Sequence, residues 1–131
     1  MANQATILLV DDDVQFLRAL HVVLSSAGYT VATAANPSAA LEYVVGMKHH
    51  FDLIITDLQM LALDGLRLLQ LIRESDRHVP VIVITAFGTA QTQAQALGLG
   101  AFAFLTKPFH KTEIVATADQ ALQSARRQTH L

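Results

Sequence analysis

At 131 residues, 52% hydrophobic and 15% charged, the chain is long enough to bury a core without covalent staples and too apolar to be disordered. It has no cysteine, which removes disulfides and thiolate zinc sites and makes a reducing compartment natural. The net charge of −2 argues against direct nucleic-acid binding, and Asp, Arg, His or Gln interrupts each apolar stretch short of a membrane span. The expectation is one soluble, cytoplasmic domain over residues 1–131, with its core at about 6–125.

Short β-branched runs alternate with helical patterns, the mark of βαβ units on a parallel sheet. Ile7-Leu8-Leu9-Val10 places a first strand at 6–10, closed by Asp11-Asp12-Asp13. A helix follows from about 13 to 27, with Val14, Leu17, His21 and Leu24 at helical spacing and Gly28 as its stop. A strand at 30–34 leads into Asn36-Pro37, a cap followed by proline at the first helical position. Leu53-Ile54-Ile55-Thr56 belongs to a strand at 52–57 that ends on Asp57. Asp64-Gly65 opens a third helix with Leu68, Leu69 and Ile72 inward. Val81-Ile82-Val83-Ile84 lies in a strand at 80–85 closed by Thr85, and the next helix, about 89–97, ends at Gly98 and Gly100. The last strand, at 101–105, precedes Lys107-Pro108. The fifth helix, about 111–127, carries Ile114, Ala118, Leu122 and Ala125 on one stripe.

Five strands and five helices in strict alternation predict an α/β fold, a doubly wound five-stranded parallel sheet. In the flavodoxin-like order 2-1-3-4-5, the first and third strands meet at the switch point where ligands bind outside the carboxyl ends of the strands. That adjacency brings Asp11-Asp12 beside Asp57, so the acids themselves favour this order.

Three neighbouring carboxylates repel one another, and a cation relieves the repulsion. Mg2+ takes one or two carboxylates plus phosphate oxygens and keeps several waters. Asp12, Asp57 and the backbone carbonyl of Gln59 suffice, with Mn2+ as a substitute. Each residue also has a plainer reading. Asp13 suits a cap on the first helix, where negative charge is favoured. Asp57 either caps its loop or is a nucleophilic carboxylate that forms an acyl phosphate. Thr85 reflects β-propensity or donates to a phosphoryl oxygen. Lys107 is a surface lysine, or is aimed back over the pocket by a proline that fixes the turn and admits a cis bond.

The landmarks run in order: Ile7 through Asp13, Asp57-Leu58-Gln59-Met60, Asp64-Gly65, Val83-Ile84-Thr85-Ala86 and Phe104-Leu105-Thr106-Lys107-Pro108-Phe109. With them the chain resembles the receiver (CheY-like) domain of bacterial two-component response regulators, from Ile7 to about Ala125. The resemblance implies a phosphorylation-switched signalling domain that promotes its own phosphorylation and dephosphorylation, not a separate enzyme. It implies that Asp57 accepts a phosphoryl group from a phosphohistidine on a sensor histidine kinase or phosphotransfer protein. Asp11 and Asp12 are then the magnesium acids, Asp12 the more direct, and Thr85 and Lys107 engage the phosphoryl group. Phe104 is the aromatic residue that turns inward when Thr85 moves, an event biasing a two-state element. The face of the fourth helix, fifth strand and fifth helix then meets a downstream domain or partner.

Two departures stand out. Leu61 replaces the family's usual proline, which should loosen the loop after Asp57, and Ala103 stands where many relatives are polar or acidic. Gln59 and Phe87 occupy positions that influence phosphoryl loss in relatives. Gln59 suits orienting a water and Phe87 suits blocking one, so Phe87 is expected to slow hydrolysis.

A Mg2+-dependent aspartyl-phosphate hydrolase is the alternative, with Asp11 and Asp13 as its acids, but Gln15 stands where it needs threonine. A flavin carrier needs a hydroxyl- and glycine-rich phosphate loop where this chain has aspartates, and the full acid, threonine and lysine set opposes a receiver that is never phosphorylated. No charged residue occurs from Thr85 through Thr106. The fourth helix, with Gln91, Thr92, Gln93 and Gln95, therefore lacks the charges of the salt-bridged dimers in one branch of the family. Apolar and amide contacts, or a different dimer, are expected on that face. His21, His49 and His50 form no i, i+4 pair beside an acid, so no histidine metal site is expected.

Overall fold

The computed structural model describes residues 5–47, 49–60 and 65–129, with side chains through Arg126. Strands β1 (Thr6–Val10), β2 (Thr30–Ala34), β3 (Leu53–Asp57), β4 (Val81–Thr85) and β5 (Ala103–Thr106) form one parallel sheet in the order β2-β1-β3-β4-β5. This is the expected doubly wound order. β3 and β4 are buried along their whole length, as near-continuous Val, Ile and Leu runs require when both faces are covered.

The helices are α1 (Val14–Ser26), α2 (Pro37–Leu41), α3 (Gly65–Ser75), α4 (Ala90–Gly98) and α5 (Lys111–Thr129), with a π turn over Glu42–Gly46 extending α2. Successive strand side chains alternate faces, so the core divides in two. Ile7, Leu9, Leu53, Ile55, Ile82 and Ile84 meet α1 and α5, while Leu8, Val10, Ile54, Val81 and Val83 meet the other three helices. Leu68, Leu69 and Ile72 of α3 are buried as expected, as are Ile114, Ala118 and Leu122 of α5. The Tyr29 hydroxyl donates to Asp119, tying the turn before β2 to α5.

Three local expectations are corrected. The inner stripe of α1 is Leu17, Leu20 and Leu24; His21 and Val14 lie on its flank and are exposed. At 3.6 residues per turn, Leu20 continues the stripe that Leu17 and Leu24 define, and His21 instead reaches Ser25 Oγ at 3.3 Å. β5 starts at Ala103, two residues later than expected. The Ala101 N–H closes the end of α4 on the Ala96 carbonyl, and Arg73 binds the Gly100 carbonyl, so the chain is still turning there. Finally, α4 starts at Ala90 because Thr89 is its cap, and Thr89 and Thr92 exchange side-chain and backbone hydrogen bonds. Among the described residues no helix is long and apolar enough to cross a membrane.

Candidate functional site

Strand register assembles the site. Val10 lies opposite Thr56, so Asp11 leaves β1 at the level where β3 ends on Asp57. Thr85 lies opposite Thr106, so Lys107 follows at the edge where β4 ends. Four residues distant in sequence therefore reach one edge of the sheet.

Asp11 and Asp57 are buried and Asp12 is exposed, and one oxygen from each of the three lies within 4.8 Å of the others. Asp11 Oδ1 accepts the Asp13 N–H at 2.9 Å, and Asp57 Oδ1 accepts the Gln59 N–H at 2.9 Å. Lys107 Nζ bridges the remaining oxygens, at 2.7 Å to Asp11 Oδ2 and 3.2 Å to Asp57 Oδ2. The Lys107–Pro108 bond is cis, as the turn chemistry admits, and the Lys107 N–H donates to the Thr85 carbonyl at 2.8 Å. Thr85 is buried, and its Oγ1 accepts the Phe87 N–H through a long 3.4 Å contact. Asp13 caps α1 by accepting from the Gln15 and Phe16 N–H groups, as its plainer reading predicts.

Burial raises the Asp11 pKa, and the hydrogen bonds from Lys107 and the Asp13 N–H only partly offset that, while the charge of Asp57 adds to it. Burial pulls the Lys107 ammonium down, but the hydrogen bond and charge of Asp11, joined by Asp57, outweigh it and hold the pKa above the ordinary lysine value. Lys107 is therefore cationic across the neutral range. The donor set is wholly oxygen, which fits a hard divalent cation, and the Lys107 ammonium on it has the chemistry to meet a phosphoryl oxygen.

Residues 7–119 match the family described as the response regulator receiver domain. The chain belongs to that family. The receiver is 36% identical over 124 residues to the transcriptional regulatory protein ZraR of Klebsiella oxytoca, covering 95% of this chain and 28% of that protein. It is 37% identical over 121 residues to the transcriptional regulatory protein GlrR of Escherichia coli K12, covering 92% of this chain and 27% of that protein. The chain thus spans roughly a quarter of the length of these relatives, at 28% and 27%. The crystal structure of a response regulator receiver domain protein from Clostridium thermocellum superposes with a TM-score of 0.87 at 28% identity, covering 97% of this chain and 99% of that one.

The receiver's other candidate residues lie around this centre. The Phe104 ring is half-buried against the core on the α3 and α4 side. A β-carbon built on Gly88 would stand 2.7 Å from that ring and 3.2 Å from Thr85 Cγ2, so ring, glycine and threonine share one small space. Gln59 is exposed and enters through its backbone N–H, and the Phe87 side chain is 74% exposed beside the β4 end. Leu61 and Asp64 lie outside the described residues.

One neighbour was missed by sequence reasoning. The Phe16 ring centroid lies 3.9 Å from Lys107 Nζ. Its only signal in the sequence is an aromatic residue within one turn of the acidic run that closes β1.

Proposed function

We propose that this receiver accepts a phosphoryl group on Asp57 from a phosphohistidine of a sensor kinase or phosphotransfer protein. The observation that carries the reading is the Lys107 ammonium bridging Asp11 Oδ2 and Asp57 Oδ2 within the three-acid cluster. A carboxylate oxygen of Asp57 attacks phosphorus, the O–P bond forms, and the P–N bond breaks with its electron pair leaving on the imidazole nitrogen. Asp11, Asp12, Asp57 and the Gln59 carbonyl would hold Mg2+, or Mn2+ in its place. When bound, the ion neutralises charge on the phosphoryl oxygens and polarises the phosphorus.

Lys107 and Thr85 then act on the new dianion. The ammonium turns from Asp57 to a phosphoryl oxygen, a charge-assisted contact. The Thr85 hydroxyl exchanges its long contact with the Phe87 N–H for donation to another. Withdrawal of Thr85 opens space beside Gly88 that the Phe104 ring fills, and the change passes to α4, β5 and α5. That face meets the downstream domain or partner, and the relatives' names as transcriptional regulatory proteins support a transcriptional output carried there. Asp57 chemistry also supports self-catalysed loss of the phosphoryl group, with Gln59 orienting the water and Phe87 restricting it. Phe87→Glu is expected to shorten the phosphoryl half-life; an unchanged half-life would remove Phe87 from the account.

The reading is tested by intact mass after incubation with acetyl phosphate. Wild type should gain one phosphoryl group with Mg2+ and none with chelator, and Asp57→Ala should gain none in either. Equal incorporation in Asp57→Ala would refute it.

A further inference from the structure

Lys107 has three N–H donors, and hydrogen bonds of 2.7 Å and 3.2 Å run to Asp11 and Asp57. The ammonium also stands 3.9 Å from the Phe16 centroid, where the ring quadrupole attracts a cation. Two devices aim that ring. Phe16 is the third residue of α1, and its backbone N–H is held by the Asp13 cap at 3.2 Å. Its ring meets Phe109 edge to face, with centroids 6.1 Å apart and planes at 86°. Phe109 and Lys107 flank the Pro108 of the cis bond. One ring on α1 thus touches both sides of the turn that carries the lysine.

The acceptor reaction needs back an oxygen that now holds the lysine. Asp57 Oδ1 already accepts the Gln59 N–H at 2.9 Å, and Oδ2 is under Lys107. An ammonium tethered only by carboxylates would block the acceptor or leave the pocket when a cation claimed those oxygens. A ring face has no lone pair to lend a metal and no proton to exchange, so the reaction does not consume it.

We propose that Phe16 is a positioning residue for Lys107, its ring face holding the ammonium at the pocket edge while Nζ passes from Asp57 Oδ2 to the phosphoryl oxygen. The proposal rests on Asp57 as acceptor and Lys107 as phosphoryl partner, and it adds the partner that lysine keeps throughout. A ring that served only as packing would be indifferent to its π electrons.

Stepwise fluorination of the ring at position 16 drains the quadrupole while nearly preserving shape. Phosphorylation by acetyl phosphate with Mg2+ should slow with each fluorine, by about two- to fivefold in all, the range of a partly exposed cation–π contact at 1.4 kcal/mol per tenfold. The contact exists in the resting protein, so melting temperature should fall by no more than a few degrees along the series and the domain stays folded under assay conditions. Phe16→Tyr should retain the rate and Phe16→Leu should lose it. The Lys107 Cε protons, shielded by the ring in wild type, should move downfield in Phe16→Leu. A rate independent of fluorination, or a Phe16→Leu variant that keeps the wild-type rate, would overturn the proposal. Failure of the acceptor reading would look different. Neither wild type nor any variant would gain a phosphoryl group, although the Lys107 proton shift still followed the ring, and the proposed role would fall with it.

Discussion

Asp12 is the exposed member of a cluster whose other two acids are buried, so it can be altered without disturbing the core. Mg2+ at ten times its dissociation constant should stabilise wild type by about 1.4 kcal/mol. Asp12→Ala should fold as wild type does and lose most of that gain in thermal unfolding; an undiminished shift would place the ion elsewhere. Asp11 behaves differently because burial holds its pKa up. A carboxyl with a raised folded pKa contributes stability below its unfolded pKa, and this is lost as pH rises through the folded value. In chelator, Asp11→Asn should therefore raise the melting temperature at neutral pH, with the gain shrinking as pH falls below the ordinary carboxylate range. A gain that grew toward acid would contradict the burial argument. The acids, Thr85 and Lys107 were legible in the sequence because each closes an apolar run. Phe16 was not, because a ring on an amphipathic helix reads the same whether it faces core or ammonium.

At the scale of elements, the close approach of α3 to the loop after Asp57 depends on Gly65. Its N–H donates to the Leu58 carbonyl at 3.0 Å, and a β-carbon there would stand 2.3 Å from Leu58 Cα. Backbone, unlike a flexible side-chain end, yields only by moving the element. Gly65→Ala should cost about 1–3 kcal/mol in urea unfolding, the range of overpacked sites, and should slow phosphorylation by displacing Gln59 and Asp57. Unchanged stability would show that α3 moves freely against the loop. Strand existence and order were readable from alternation and from the acids that had to meet. The β5 start was not, because the Ala101 and Arg73 hydrogen bonds that delay it depend on α4 and α3 being in place. Likewise, spacing alone did not separate His21 from Leu20, since both lie within reach of the stripe that Leu17 and Leu24 define.

For the whole molecule, the chain carries no charge from Thr85 through Thr106, and the face of α4 and β5, the proposed output face, exposes Leu97 at 43% and Phe102 at 38% beside the glutamines of α4. A salt-bridged dimer across α4 needs charges that this helix lacks. Light scattering with and without beryllofluoride should therefore show no dimer whose strength falls with salt. A phosphoryl-mimic dimer that dissolves as salt rises would contradict the apolar and amide character of the face.

The proposed acyl phosphate on Asp57 can be trapped directly. After phosphorylation by acetyl phosphate with Mg2+, borohydride reduces an aspartyl phosphate to homoserine, which peptide sequencing by mass spectrometry locates. Homoserine at position 57 alone, and only when Mg2+ was present, is the expected result. Homoserine at Asp11 or Asp12 with Asp57 intact, or none in a sample shown to carry the phosphoryl group, would contradict it.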